Sequence, residues 1–206
     1  MNITDKPTTP SNYFKGRFDS QGFPINPDVI IIHVAVGNLQ TTFNTFNNPQ
    51  EQKSSHYFVE ETGNILRFAP ESATCWHAGF VVNPTARLVK ERIGKYSSPN
   101  SYSIGIENAG EYPGDTTPGD FTSAQYDANG WLVAQLSKKW NIPLDRDHVI
   151  GHKEIRSDKT CPGSKVSIER ILEAARAYTG AVNNPEPQTV VQLKAEIQAV
   201  LNKYNG

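Results

Sequence analysis

Apolar positions along the chain fall into short runs whose spacing switches between that of strands and that of helices. The run Val29-Ile30-Ile31-Ile32, closing on His33, is continuous and predicts a buried strand over 29–33. Phe43 and Phe46 then stand at helical spacing within 38–49, and Asn47-Asn48-Pro49 stops that helix. Residues 56–60 and 64–68 read as two strands joined by a turn around Thr62-Gly63. From Tyr102 to Asn108, Ile104 and Ile106 alternate with Ser103, Gly105 and Glu107, so a strand here turns Glu107 away from the isoleucines and toward a cleft. Thr122 and Gln125 form a capping box for a helix with Leu132, Val133, Leu136 and Trp140 on its apolar side, Trp131 and Trp140 being core residues. A short strand at 148–150 and a helix carrying Ile168, Ile171, Leu172 and Ala175 follow. Strands interleaved with helices predict an α/β fold, a central mixed sheet flanked by helices.

Three stretches break this pattern. Residues 1–28, rich in Pro, Thr, Asn and Asp, predict an irregular arm, and Phe80–Ser101, with Arg87, Lys90, Arg92 and Lys95, predicts a solvated connecting loop. At 180–187 the sequence GAVNNPEP marks a stiffened linker, which bounds a catalytic-sized domain of residues 1–179. Beyond it, Val190, Leu193, Ile197, Val200 and Tyr204 recur at 3,4,3,4 spacing, the seam of a short C-terminal helix over 188–206. So few turns do not hold alone in water. This helix is expected to pair with copies of itself, giving a homo-oligomer, or else to fold back on its own domain.

Composition narrows the partners. A chain of 206 residues with 37% hydrophobic and 20% charged residues suits one sizeable domain plus an appendage, and a net charge of −1 offers no electrostatic basis for binding nucleic acid. Nothing in the sequence has the length and apolarity of a membrane span, and MNITDKPTTPSNYFKGRF lacks the apolar segment of a secretory signal, so synthesis in the cytosol without membrane insertion is expected. Cys75 and Cys161 make no disulfide framework.

The candidate chemistry centres on Gly151–Gly163, GHKEIRSDKTCPG, where His152 and Cys161 stand nine positions apart on one loop. Taken alone, the pair also fits a capped loop histidine and a small buried thiol. His33, at the end of its buried strand, supplies a third donor, and three protein ligands suffice for a catalytic zinc that keeps its fourth position open. Lys159 places a cation beside the same cavity, and Glu107 offers a carboxylate at a strand end.

These residues sit in five blocks, VIIIHVAVG (29–37), SSHYFVEETGNILRF (54–68), WHAG (76–79), YSIGIENAG (102–110) and HVIGHKEIRSDKTCPG (148–163). Together, and in this order, the blocks resemble the zinc-dependent N-acetylmuramoyl-L-alanine amidases of the bacteriophage-lysozyme and peptidoglycan-recognition type. The resemblance implies hydrolysis of the amide between N-acetylmuramic acid and L-alanine of peptidoglycan, with zinc on His33, His152 and Cys161, Glu107 as proton shuttle and Lys159 facing the oxyanion. It also implies substrate contacts from His56, Trp76 and His77. The stretch between His152 and Cys161 is one residue longer than in many members, which shifts the register at Lys159. A cytosolic product of this kind with a tail helix is expected to be a phage or prophage endolysin. The alternatives are an amidase recycling soluble muropeptides in the cytosol, and a binding module that has lost its metal.

Overall fold

The computed structural model describes residues 1–110 and 119–180. The first half of the chain runs through β1 (Ile3–Asp5), β2 (Tyr13–Phe14), β3 (Val29–Ile32), β4 (Ala35–Val36), α1 (Leu39–Phe46), β5 (Tyr57–Val59), β6 (Ile65–Arg67) and β7 (Thr74–Cys75). The second half adds α2 (Arg87–Arg92), α3 (Pro99–Tyr102), β8 (Ser103–Gly110), α4 (Ser123–Trp140), β9 (Val149–Gly151) and α5 (Ile168–Tyr178). The main sheet has the order β1-β6-β5-β8-β3-β9, with β4 also pairing β8, while β2 and β7 form a separate antiparallel pair. Within the main sheet only the hairpin β5–β6 is antiparallel, so the sheet is mixed as expected. Gly63, at φ 84°, turns that hairpin, and a Cβ there would stand 2.9 Å from the Ala124 carbonyl oxygen.

Strand alternation divides the core in two. Ile30 and Ile32 of β3 and Ile104 and Ile106 of β8 face α4 and α5, where Leu132, Val133, Leu136, Ile171 and Leu172 meet them. On the other face, Val29 and Ile31 pack with Ala78, Val89, Tyr102 and Ile150, and farther along Phe58 and Leu66 pack with Phe46 and Phe68. His33 and Glu107 belong to neither of these two groups. A one-residue slip of β3 or β8 would exchange buried isoleucines for these polar residues, each exchange costing about 1.5–3 kcal/mol of apolar burial, so the register that buries the core also aims the polar pair.

α4 begins at the capping box of Thr122 and Gln125, and Gly130 brings it close to α5, since a Cβ there would lie 2.4 Å from the Ala174 Cβ. Buried amides tie α4 to the sheet: Asn129 Nδ2 donates to Asn108 Oδ1 at 2.6 Å, and Gln125 Nε2 donates to the Ala109 carbonyl at 2.8 Å.

Two expectations are corrected. The arm over 1–28 is not irregular throughout, because β1 pairs in parallel with β6 and Arg17 is 3% exposed. The segment 80–101 is not a solvated loop, since it contains α2 and α3 and buries Val89. Its two arginines are held by distant partners: Arg87 pairs with Asp147 at 2.7 Å, and Arg92 pairs with Asp28 at 2.6 Å and lies over the Tyr102 ring at 4.6 Å. The linker and the seam helix of 188–206 lie outside the described residues, and among the described residues no helix is long and apolar enough to cross a membrane.

Candidate metal and catalytic site

His33 continues from β3, its N–H donating to the Ile106 carbonyl at 2.8 Å, so its ring leaves the sheet on the face opposite α4. His152 starts the 3-10 turn His152–Glu154 that follows β9 directly. The loop then folds back on itself, with the Lys153 N–H donating to the Cys161 carbonyl at 2.8 Å and Lys153 Nζ to the Gly163 carbonyl at 3.0 Å. This closure carries Cys161 to His33 and His152, and one ligand atom from each of the three lies within 4.8 Å of the others.

The donor set fits a zinc ion in type and in the nitrogens it turns inward. His152 Nε2 donates to the Ala78 carbonyl at 3.0 Å and His33 Nε2 lies 3.0 Å from His77 Nδ1, which leaves Nδ1 of each ring as the inward-facing nitrogen. His33 Nδ1 is 3.9 Å from Cys161 Sγ. Tetrahedral bonds of about 2.3 Å to sulfur and about 2.0–2.1 Å to nitrogen would put such atoms about 3.6 Å apart. The Val34 N–H donates to Cys161 Sγ at 3.2 Å, a contact that favours a thiolate.

Electrostatics point the same way for the imidazoles. Burial, then the neighbouring rings of His152 and His77, hold His33 far below the ordinary histidine range, and burial first of all brings His152 down to about 4. Both are therefore neutral at physiological pH, the form that ligates metal. Burial and the Glu107 charge push the Cys161 thiol up, and a bound cation reverses that preference.

Glu107 stands where the alternation of β8 predicts, in a cleft it shares with Val34, Val36, Thr42, Thr45 and Lys53, close enough for its charge to act on Cys161. Burial alone lifts its carboxyl to about 8. Lys159 is exposed on the loop, and its charge acts on both His152 and Cys161.

Of the three residues expected to touch substrate, His56 and His77 are turned inward and Trp76 remains partly exposed. His56 is 0% exposed: Nδ1 accepts the Gly105 N–H at 3.0 Å and Nε2 donates to the Ala73 carbonyl at 3.1 Å, so it is enclosed and lines no groove. His77 turns its ring to His33 and Ser103 rather than outward. Trp76 is half-buried, with its indole edge-on to the exposed Phe14 ring at 5.4 Å. His148 is bound to Asp145 at 2.7 Å and braces the loop.

Sequence reading missed Arg17. Its guanidinium donates to the carbonyls of Glu71 (2.7 Å), Asn100 (3.1 Å) and Ser101 (3.0 Å), and Nη2 lies 2.8 Å from His56 Nε2. It missed Asn108 as well, whose Nδ2 donates to the His33 carbonyl at 3.1 Å. Neither carries a sequence signal, because burial of an arginine or asparagine is set by distant carbonyls.

Fold and site together define an α/β protein with a two-histidine, one-cysteine centre beside a half-buried glutamate. The chain belongs to the N-acetylmuramoyl-L-alanine amidase family (Amidase_2), whose profile matches residues 23–164, well over half of the sequence. It is 35% identical over 115 residues to N-acetylmuramoyl-L-alanine amidase CwlH of Bacillus subtilis (strain 168), a stretch covering 56% of this chain and 37% of that protein. The chain thus spans little more than a third of that relative's length. Among solved structures, a selenomethionine derivative of AmpD shares the fold at a TM-score of 0.60 with 20% identity, over 84% of this chain and 93% of that one. The amidase LysC of Clostridium intestinale URNW does so at a TM-score of 0.53 with 20% identity, over 87% and 98%.

Proposed function

We propose that this chain hydrolyses the amide between the lactyl group of N-acetylmuramic acid and L-alanine in peptidoglycan, using zinc held by His33, His152 and Cys161. The convergence of these three ligand atoms within 4.8 Å, beside Glu107, carries the reading. Amide hydrolysis needs a stronger nucleophile than free water, a proton for the departing nitrogen and stabilisation of an oxyanion. His33, His152 and Cys161 would hold the zinc, which when bound would supply Lewis-acid polarisation of the scissile carbonyl and a more acidic water. Glu107 then takes a proton from the attacking water and hands it to the leaving amine, a transfer typically worth about 10²–10⁴-fold. Lys159 approaches as a point charge for the oxyanion, and Trp76 offers a face to the glycan or stem peptide.

Within this reading the protein acts as an endolysin, made in the host cytoplasm and released to the wall. The sequence after residue 180, with GAVNNPEP followed by Val190, Leu193, Ile197, Val200 and Tyr204 at 3,4,3,4 spacing, supports that setting over recycling of soluble muropeptides, because a tail that paired with copies of itself would bring several catalytic domains to one polymer. Metal analysis of the purified chain should find one zinc per molecule, greatly reduced in Cys161→Ser and in His33→Ala. Mass spectrometry of digested sacculi should show free L-alanine amino termini. Full zinc occupancy in both variants would remove the ligand assignment, while activity on soluble muropeptides but not on sacculi would favour recycling.

A further inference from the structure

Two consecutive residues supply the outer partners of both histidines in the centre. His77 Nδ1 lies 3.0 Å from His33 Nε2, and the Ala78 carbonyl accepts from His152 Nε2 at 3.0 Å. The backbone N–H groups of the same two residues both donate to one side-chain oxygen, Asn100 Oδ1, at 3.1 and 2.8 Å. Asn100 is 7% exposed, and its own carbonyl is capped by Arg17 at 3.1 Å. The ring of His77 rests on β8, where a Cβ at residue 105 would stand 2.6 Å from its Cγ and Nδ1, so only glycine leaves room for it. Gly105 is itself fixed, its carbonyl accepting from Ser55 Oγ at 2.8 Å and its N–H donating to His56 Nδ1 at 3.0 Å.

We infer that His77 is a positioning residue of the metal centre, holding His33 in the tautomer and rotation that present Nδ1, with Gly105 as its floor and Ser103 as its far partner. This rests on the reading of His33 as a ligand. If His33 Nδ1 faces the metal, its proton is on Nε2 and His77 Nδ1 must accept it. The His77 proton is then on Nε2, 3.4 Å from Ser103 Oγ, and the Ser103 hydroxyl donates onward to the Pro99 carbonyl at 2.6 Å. Every donor in this order has an acceptor, and the chain ends on a carbonyl that needs no further partner. The opposite order fails at both ends. It would put the His33 proton on Nδ1, facing Cys161, and would leave His77 Nε2 a bare acceptor beside a hydroxyl already committed to Pro99.

The test compares His77→Leu, His77→Asn and Ser103→Ala with the wild type, by zinc affinity in chelator competition and by the visible spectrum of the cobalt(II)-loaded protein. His77→Leu should bind zinc about 10–100-fold more weakly and shift the cobalt bands. His77→Asn, whose carbonyl oxygen can accept from His33 Nε2, should recover most of the affinity. Ser103→Ala leaves the slot intact and should shift the cobalt spectrum with little change in melting temperature, which keeps the inference testable if the leucine variant does not fold. Wild-type affinity and spectrum in both His77→Leu and Ser103→Ala would overturn it. A wild-type protein that binds no zinc would instead overturn the metal reading beneath it.

Discussion

Glu107 shows how one strand position can serve chemistry at a cost to stability. Its neighbours Ile106 and Asn108 are buried on the opposite face of β8, so the backbone has no freedom to turn the carboxyl toward bulk water. Burial raises its pKa from 4.5 to about 8, which means the folded chain holds this proton more tightly than the unfolded chain does. Its contribution to stability is complete below about pH 4.5 and is lost as the pH climbs toward 8. Glu107→Gln should therefore lose about 10²–10⁴-fold in turnover with zinc still bound. In chelator-treated protein the same variant should melt above the wild type at pH 8, with the gap closing by pH 5. Equal melting temperatures at pH 8 would show that the carboxylate is better solvated than its burial implies.

At the scale of elements, the face of β8 that reads Ser103, Gly105, Glu107 brings the floor under His77 and the cleft carboxyl onto one strand. α4 braces the strand from behind through Asn129 and Gln125, and α5 in turn presses on α4 at Gly130. Gly130→Ala would gain about 0.5–1 kcal/mol of helix propensity, but its Cβ would sit 2.4 Å from that of Ala174, and overpacking of this kind costs about 1–3 kcal/mol. The overlap wins, so the urea midpoint should fall, and adding Ala174→Gly should recover part of the loss. The central strands β3, β5, β6, β8 and β9 and both long helices were legible because apolar runs at period 2 and at helical spacing report burial locally, whereas the short β1, β2, β4 and β7 carry no such run. So was the grouping of His33, His152 and Cys161, which the fold brings within 4.8 Å of one another. The segment 80–101 was not, because α2 is held by Arg92 on Asp28 and Tyr102, partners brought near only by the fold. His56 was misjudged for a related reason: its neighbours in sequence say strand, while its enclosure comes from Arg17, Ala73 and Gly105.

For the molecule as a whole, His33, His56, His77 and His152 are all held below the ordinary histidine range, burial being the leading cause in each. Folding keeps them neutral, so their contribution is complete above about pH 6.5 and is lost as the pH falls and the unfolded chain takes up protons the folded chain refuses. Glu107 pulls the other way over part of that window, one proton against four. Chelator-treated protein should therefore lose stability steeply between pH 7 and pH 5, at up to about 1.4 kcal/mol per pH unit for each histidine. A flat denaturation midpoint across that range would contradict the enclosure of these rings. Arg17 bears on a more practical matter. It lies, with β1, ahead of residue 23, and α5 lies beyond residue 164, so part of the support of the centre stands outside the segment that defines the family. A graft of this unit onto a foreign wall-targeting module, cut at the family's borders, would leave three carbonyls uncapped and take α5 from its place against α4. A graft meant to keep the centre intact should therefore carry residues 1–22 and α5 along with the family segment.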